Sequence, residues 1–339
     1  MTGPTQSGVS PPPLSAYRGI TTLVLGGSGF IGRWITKRLV GEGANVIVLA
    51  RDPASIDPLR PWWHGRVQVM QCDVSDFGAL REHVLTLKPA IAFNLAGYGI
   101  AAGERDAIAA QRLNADLVAE LAGALADTRD ATWSGQAIVH AGSSAEYGQT
   151  NEPVSGDGPA EPITDYGRSK LAGSLALARV CSDRTLPGVT IRLFMVYGAG
   201  EHEHRLFPSL IRAATSREAV ALSDGRQRLD FTYVEDVAEG LLRAGLAIAL
   251  PGEIVNLATG RLTQVRTFAR TAAEILGLSP AQLRFGAAAL RPDDVRYGPV
   301  RTWRFHQLTS WTPSTTIGEG IRRTLDHHAT HAITEQGHR

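Results

Sequence analysis

The sequence predicts a doubly wound α/β protein with a smaller C-terminal lobe, on three observations. Strand-like and helix-like segments alternate through the first 190 or so residues. A glycine-rich turn follows the first strand. A tyrosine and a lysine lie four residues apart on a later helix. The strands are expected at Thr21–Leu25, 45–49, Val67–Gln71, 90–95, 137–141 and 189–193, each a short β-branched or aliphatic run. Between them, residues 31–41, 77–88, 107–125 and 166–181 carry helical periodicity. Such alternation implies parallel strands joined by right-handed crossovers. A ligand then sits beyond the carboxyl ends of the strands.

The glycine turn is Gly26-Gly27-Ser28-Gly29-Phe30-Ile31-Gly32, followed by an amphipathic segment beginning at Arg33. Strand, glycine turn and helix in that order let the backbone approach a pyrophosphate, which rests on the amides and positive dipole end of the helix. The spacing is Gly-x-x-Gly-x-x-Gly rather than Gly-x-Gly-x-x-Gly. The later pair is Tyr166-Gly167-Arg168-Ser169-Lys170. Positions i and i+4 share a helix face. An ammonium beside a phenol favours the phenolate, so Lys170 is expected to lower the Tyr166 pKa and make it a proton donor and acceptor near neutrality.

Bulk properties narrow the class. The chain has 339 residues, a formal net charge of +1, 43% hydrophobic residues and two cysteines. No basic field points to nucleic acid, and no apolar run reaches the ~18–20 residues of a membrane span. Cys72 and Cys181 are too few for a disulfide framework and suit a reducing, cytoplasmic setting. Residues 1–18, polar and containing Pro11-Pro12-Pro13, are expected to form a disordered tail without signal-peptide character. After Phe194 the alternation breaks. Residues 206–214 read as helix, 224–230 as a charged turn, 231–242 and Glu253–Leu257 as a return to the main sheet, and 283–311 as irregular. The expected division is 19–193 plus 230–259 for the dinucleotide domain, 194–229 plus 260–328 for the second lobe, and 329–339 as tail.

The glycine triplet and Tyr-x-x-x-Lys, in order and in context, resemble the short-chain dehydrogenase/reductase superfamily, in its extended branch of epimerases and dehydratases acting mostly on nucleotide-activated sugars. The resemblance spans about Thr21 to His328 and implies a Rossmann-type fold with a substrate-binding lobe. It implies cofactor contacts from Gly26, Gly29, Phe30, Ile31, Gly32 and Arg33, from Asp73 and Val74 beneath the adenine, and from Leu95, Ala96 and Gly97 beneath the phosphates and ribose. Tyr166 moves the proton, and Lys170 holds the nicotinamide ribose. Ser143, four before the Tyr147-Gly148 pair, hydrogen-bonds the reacting oxygen, with Ser144 the adjacent alternative. Asn114 resembles a supporting asparagine acting through water; the other reading is a helix-surface residue.

NAD-using members end the second strand with an acid. Here Ala50 stands there, followed by Arg51, whose guanidinium suits a 2′-phosphate. NADP(H) is therefore favoured over NAD(H); the alternative is that Asp52 takes the ribose. The 4,6-dehydratases place two acid/base residues after the catalytic Ser/Thr, where this chain has Ser144 and Ala145. Glu146 comes one step later and is expected at the substrate. Arg192-Leu193-Phe194-Met195-Val196-Tyr197-Gly198 matches a family element whose substrate-contacting asparagine is here Met195. Arg228 and Arg291 resemble the two arginines that bind a substrate pyrophosphate, with Arg205 a further candidate. Glu201-His202-Glu203-His204 reads as a solvated rim loop, not a metal site. The resemblance thus implies NADPH-dependent reduction of a nucleotide-diphosphate keto sugar. A sugar-nucleotide 4-epimerase, a non-sugar ketone reductase and a dinucleotide sensor are the alternatives. Small and apolar faces on 107–125 and 166–181 further imply a homodimer.

Overall fold

A computed structural model describes residues 12–63, 65–99, 103–289 and 296–336. The main sheet is built from β1 (Thr21–Leu25), β2 (Asn45–Ala50), β3 (Val67–Gln71), β4 (Ile91–Asn94), β5 (Ile138–Ser143), β6 (Gly188–Leu193) and β10 (Glu253–Leu257). Its order is β10-β6-β5-β4-β1-β2-β3 and every pairing is parallel. Leu25 pairs with Leu49 on one side and Asn94 on the other. The chain reverses its direction of growth between β1 and β4, which opens a crevice at their carboxyl ends.

The strands are apolar on both faces because helices cover both. On one face α1 (Phe30–Glu42) and α7 (Val234–Leu246) pack over Val24, Val46, Val48 and Phe93. On the other, α2 (Phe77–Leu87), a long helix at 107–127 and α5 (Asp165–Arg184) cover Leu23, Leu25, Ile47 and Ile138. The long helix consists of α3 (Ala107–Gln111), a π turn at Arg112–Asp116 and α4 (Leu117–Asp127).

The lobe is assembled from β7 (Met195–Tyr197), α6 (Leu206–Ser216), β8 (Val220–Leu222), β9 (Arg228–Tyr233), β11 (Leu262–Gln264), α8 (Val265–Leu276), β12 (Leu283–Phe285), α9 (Trp303–Thr309) and α10 (Ile317–Gln336). Phe231 stacks on Phe268 with centroids 4.3 Å apart, and Tyr197 meets Phe207 and Phe268 edge-on.

Four expectations change, the first being the tail expected from residue 329, which is helical as far as Gln336. Residues 228–233 are a strand of the small sheet, paired with β7 and β11, so only α7 and β10 return to the dinucleotide domain. Residues 283–311 hold β12 and α9 rather than being irregular throughout. From residue 12, where the described part of the expected 1–18 tail begins, the chain is ordered rather than tail-like. Leu14–Tyr17 form a 3-10 turn, and fully buried Tyr17 donates its hydroxyl to the Leu242 carbonyl at 2.6 Å. One aromatic side chain with a polar handle is enough to anchor a polar segment.

Candidate active site

The glycine loop crosses the crevice at close quarters. A side chain at Gly26, whose φ is +73°, would lie 2.7 Å from the Leu95 carbonyl carbon, and one at Gly32 would lie 2.0 Å from the Gly26 oxygen. Gly29 caps α1 without a side chain. The first amides of α1 therefore face the crevice bare, a cradle that fits the pyrophosphate of a dinucleotide. Phe30 and Ile31 open the helix, and the Leu95 amide bonds the Leu25 carbonyl at 3.0 Å, bringing Ala96 and Gly97 beside the loop.

Arg33 folds back over this loop. Its Nε and Nη2 lie 3.3 and 3.2 Å from the Gly29 and Ser28 carbonyls, and its guanidinium lies 5.6 Å from the Trp62 ring. It is thus engaged with the loop itself. Arg51 stays exposed just after β2. Asp52 accepts the Ala54 amide at 3.0 Å. Asp73 accepts the Ser75 amide and hydroxyl at 2.9 and 2.8 Å, which hold its carboxyl below the usual range, ahead of half-buried Val74.

Asn114 is fully buried, so the helix-surface reading fails. Its Oδ1 accepts the Tyr98 amide at 2.9 Å, and its Nδ2 donates to the Tyr98 carbonyl and to Ser169 Oγ at 2.8 and 2.9 Å. The π turn that carries it delivers this side chain to the loop after β4. Single π turns are often found at functional sites.

Ser143, Tyr166 and Lys170 converge at the end of β5. The Ser143 side chain acts on the Tyr166 phenol, drawing its pKa down against the effect of burial. Lys170 is 5% exposed, and its Nζ donates to the Ala141 carbonyl at 2.6 Å. Burial pulls the lysine down to about 8. The expected effect of Lys170 on Tyr166 is not what the structure shows. Burial pushes the phenol up, Ser143 and Arg205 pull it down, and Glu146 and Glu104 push it up. The reason is burial: with its own pKa lowered to about 8, Lys170 gives up its charge before the raised phenol ionises. Below it, buried His140 meets Asn94 Nδ2 at 3.3 Å, and burial, then the charge of Lys170, keep it well below its ordinary range.

Glu146 is not at the substrate. It is fully buried, with Arg192 Nε 2.7 Å away and the Ser174 hydroxyl 2.9 Å away. Its neighbour Ser144 stays half-buried at the start of the 3-10 turn Ser144–Tyr147. The pattern Ser143-x-x-Glu146 is a capping-box signature, a local signal that points the glutamate back at its own backbone.

Across the crevice, Met195 Sδ accepts from Arg205 Nη2 at 3.2 Å, so these two residues meet, with the arginine's charge acting on Tyr166. Glu201, expected on a solvated rim, is turned inward: its side chain is 5% exposed and 3.5 Å from Arg205 Nε. Burial raises its carboxyl to about 7, and its Oε2 has no partner. Among the described residues no cluster of His, Cys, Asp and Glu is placed to hold a metal ion.

Arg228 lies elsewhere. Strand alternation sends Leu229 into the cluster of Tyr147, Phe194 and Tyr297, and Arg228 to an open cavity of about 650 Å³. Arg226, Arg296, Asn151 and Tyr297 share that cavity. Arg291 lies outside the described residues. Arg296, missed by motif matching, is the downstream arginine that lines the cavity.

Fold and site together define a Rossmann-type protein that brings Ser143, Tyr166 and Lys170 together beside its glycine loop. Residues 22–258 match the family model of the NAD dependent epimerase/dehydratase family, and the chain belongs to that family. It is 29% identical over 316 residues to dTDP-6-deoxy-L-talose 4-dehydrogenase (NAD(P)(+)) of Kitasatospora kifunensis, covering 88% of this chain and 92% of the relative. It is 26% identical to UDP-glucose 4-epimerase of Mycolicibacterium smegmatis, covering 90% and 97%. Among solved structures it resembles MoeE5 in complex with UDP-glucuronic acid and NAD, with a TM-score of 0.76, 25% identity, and coverage of 90% and 98%. Among the described residues no helix is long and apolar enough to cross a membrane.

Proposed function

We propose that this chain is an NADPH-dependent reductase of a nucleotide-linked 4-keto-6-deoxyhexose, working at C4. The observation that carries the reading is the gathering of Ser143, Tyr166 and Lys170 at the end of β5, where Lys170 is tied to Ala141 and Ser143 acts on the Tyr166 phenol, beside a glycine loop that fits a pyrophosphate. A nicotinamide dinucleotide held in this crevice would supply the hydride for the ketone carbon. Ser143 holds the ketone oxygen, Tyr166 gives it a proton, and the product is the alcohol with oxidised nicotinamide. Neither residue after Ser143 in the turn is an acid, since Ser144 and Ala145 stand there, so elimination of water lacks its acid/base pair. Exposed Arg51 after Ala50 favours the 2′-phosphate. A relative that oxidises a 6-deoxy sugar at C4 with either dinucleotide supports the same chemistry in reverse.

Arg228 and Arg296 are the candidates for the substrate's diphosphate. A 4-epimerase retaining NAD is the second reading, favoured by the epimerase relative. Exposed Ile108 and Leu175 on α3 and α5 support a homodimer, and free, buried Cys72 and Cys181 suit a cytoplasmic enzyme.

The test is to identify any dinucleotide released on denaturation, titrate the stripped protein with NADPH and NADH, and assay a panel of dTDP- and UDP-linked 4-keto sugars. Exchangeable NADPH and turnover of a 4-keto sugar are expected. Tightly retained NAD with interconversion of UDP-sugars would replace the reductase by the epimerase. Tyr166→Phe is expected to lower turnover about 10²–10⁴-fold while dinucleotide binding persists; unchanged turnover would remove Tyr166 from the mechanism.

A further inference from the structure

We propose that Glu146, clamped by Arg192 and Ser174, is the positioning residue that fixes the Ser143 hydroxyl against Tyr166. The inference rests on the reading of Ser143 as the serine that holds the substrate oxygen.

The carboxylate joins the three elements that supply the site. Its Oε1 accepts the Ser143 amide at 2.7 Å, at the end of β5. Its Oε2 accepts Arg192 Nε from β6 at 2.7 Å and the Ser174 hydroxyl from α5 at 2.9 Å. Ser174 stands one turn beyond Lys170 and two beyond Tyr166, on the same helix face. Movement of α5 relative to β5 therefore strains a bond to Glu146.

The capping box does the rest. Ser143 Oγ accepts the Ala145 amide at 3.2 Å while Glu146 accepts the Ser143 amide. With its lone pair engaged by the backbone, the hydroxyl directs its own proton outward, toward Tyr166 and the crevice. There is no room for looseness behind it, since a side chain at Gly142 would lie 2.8 Å from Glu146 Oε1. A buried ion pair is a weak source of stability, because apolar residues of similar volume serve as well or better. Glu146 and Arg192 are 0% and 1% exposed, so their retention calls for a positional role.

Glu146 also acts at a distance. The groups acting on Tyr166 are Ser143, Glu146, Arg205 and Glu104. Glu146 is in turn faced by Arg192, whose guanidinium lies 4.4 Å from the Tyr147 ring, and its charge reaches Lys170. The carboxylate favours the protonated form of both Tyr166 and Lys170.

The test uses the full-length enzyme with dTDP-6-deoxy-L-talose and NADP⁺, comparing Glu146→Gln and Ser174→Ala with the parent. The amide turns an N–H₂ toward two donors, so the clamp opens. Turnover is expected to fall about 10–100-fold for Glu146→Gln and about 3–10-fold for Ser174→Ala, a range set by loss of alignment. KM and dinucleotide affinity are expected to stay within about threefold, since only a transition-state interaction is touched. The rise of rate with pH should begin at lower pH in Glu146→Gln. A lower Tm with kcat and pH profile unchanged would show a purely structural pair and overturn the proposal. Should Glu146→Gln not fold, Ser174→Ala decides alone, unchanged kcat overturning it. If the parent turns over no sugar nucleotide, the functional reading has failed. The proposal is then judged by ultraviolet difference titration of Tyr166, referenced to Tyr166→Phe and made with NADP⁺ bound. In Ser174→Ala, which keeps the Glu146 charge and loosens the clamp, an upward shift supports it because Ser143 no longer draws the phenol down, and no shift overturns it.

Discussion

The two walls of the crevice are built from different material. The dinucleotide wall is backbone: glycines at van der Waals limits, bare helix amides, and a strand-end loop pinned by Asn114. The facing wall is side chain, with Arg205 on Met195 and Glu201, and Arg228 and Arg296 line a separate open cavity. A backbone site tolerates almost no substitution and reads one shape. A side-chain site changes ligand by exchanging single residues, and Met195, held by Arg205, is the position where such an exchange is expected to matter here. Specificity within the family is therefore expected to be decided on the second wall.

The sharpest break of this comparison is Gly32→Ala. With the Gly26 oxygen 2.0 Å from the new carbon, the loop must open. Dinucleotide binding by fluorescence titration is expected to vanish, with about 1–3 kcal/mol lost from unfolding in denaturant.

Lys170→Met separates function from stability. Its folded pKa of about 8 lies below the ordinary 10.5, because burial disfavours the ammonium. That penalty is present in full below about pH 8 and is relieved as pH rises toward the unfolded value. The dinucleotide-free variant is expected to gain about 1–3 kcal/mol at pH 7, while turnover falls about 10²–10⁴-fold. A loss of stability would show that the bond to Ala141 outweighs desolvation.

In the separate cavity the effects should be graded. Arg228→Ala and Arg296→Ala are each expected to raise the sugar-nucleotide KM about tenfold, the worth of one charge-assisted contact, with kcat little changed. An unchanged KM in both would move the diphosphate away from this cavity.

The smallest effect is at Glu201. Its folded pKa of about 7 exceeds the ordinary 4.5, so the folded state binds the extra proton between those values. Stability contributed there is present below about pH 4.5 and lost as pH rises through 7. Glu201→Gln is expected to flatten that decline by on the order of 1–3 kcal/mol, read from denaturant midpoints across this range. An identical pH dependence would place the titration elsewhere.

The six strands of the dinucleotide half, the glycine turn and the Tyr166–Lys170 helix were legible in the sequence, because each depends on neighbours within a few residues. The capping box of Ser143 and Glu146 was a local signal that the sequence reading passed over, placing Glu146 at the substrate instead. What was not legible concerns partners far along the chain. Glu146 meets Arg192 across 46 residues, Tyr17 meets Leu242 across 225, and Arg228 faces its cavity only because β9 pairs with β7 and β11 in a given register. A one-residue shift of that register would exchange Arg228 for Leu229.

Local pattern thus determined by itself the main-sheet strands, the glycine turn and the spacing of Tyr166 and Lys170 on one helix. Tertiary structure alone decided the electrostatics. Burial raises Tyr166 where a neighbouring ammonium was expected to lower it, and it turns Glu201 from a rim residue into a titrating group. Desolvation is a property of what surrounds a side chain, and that is settled only when distant segments pack.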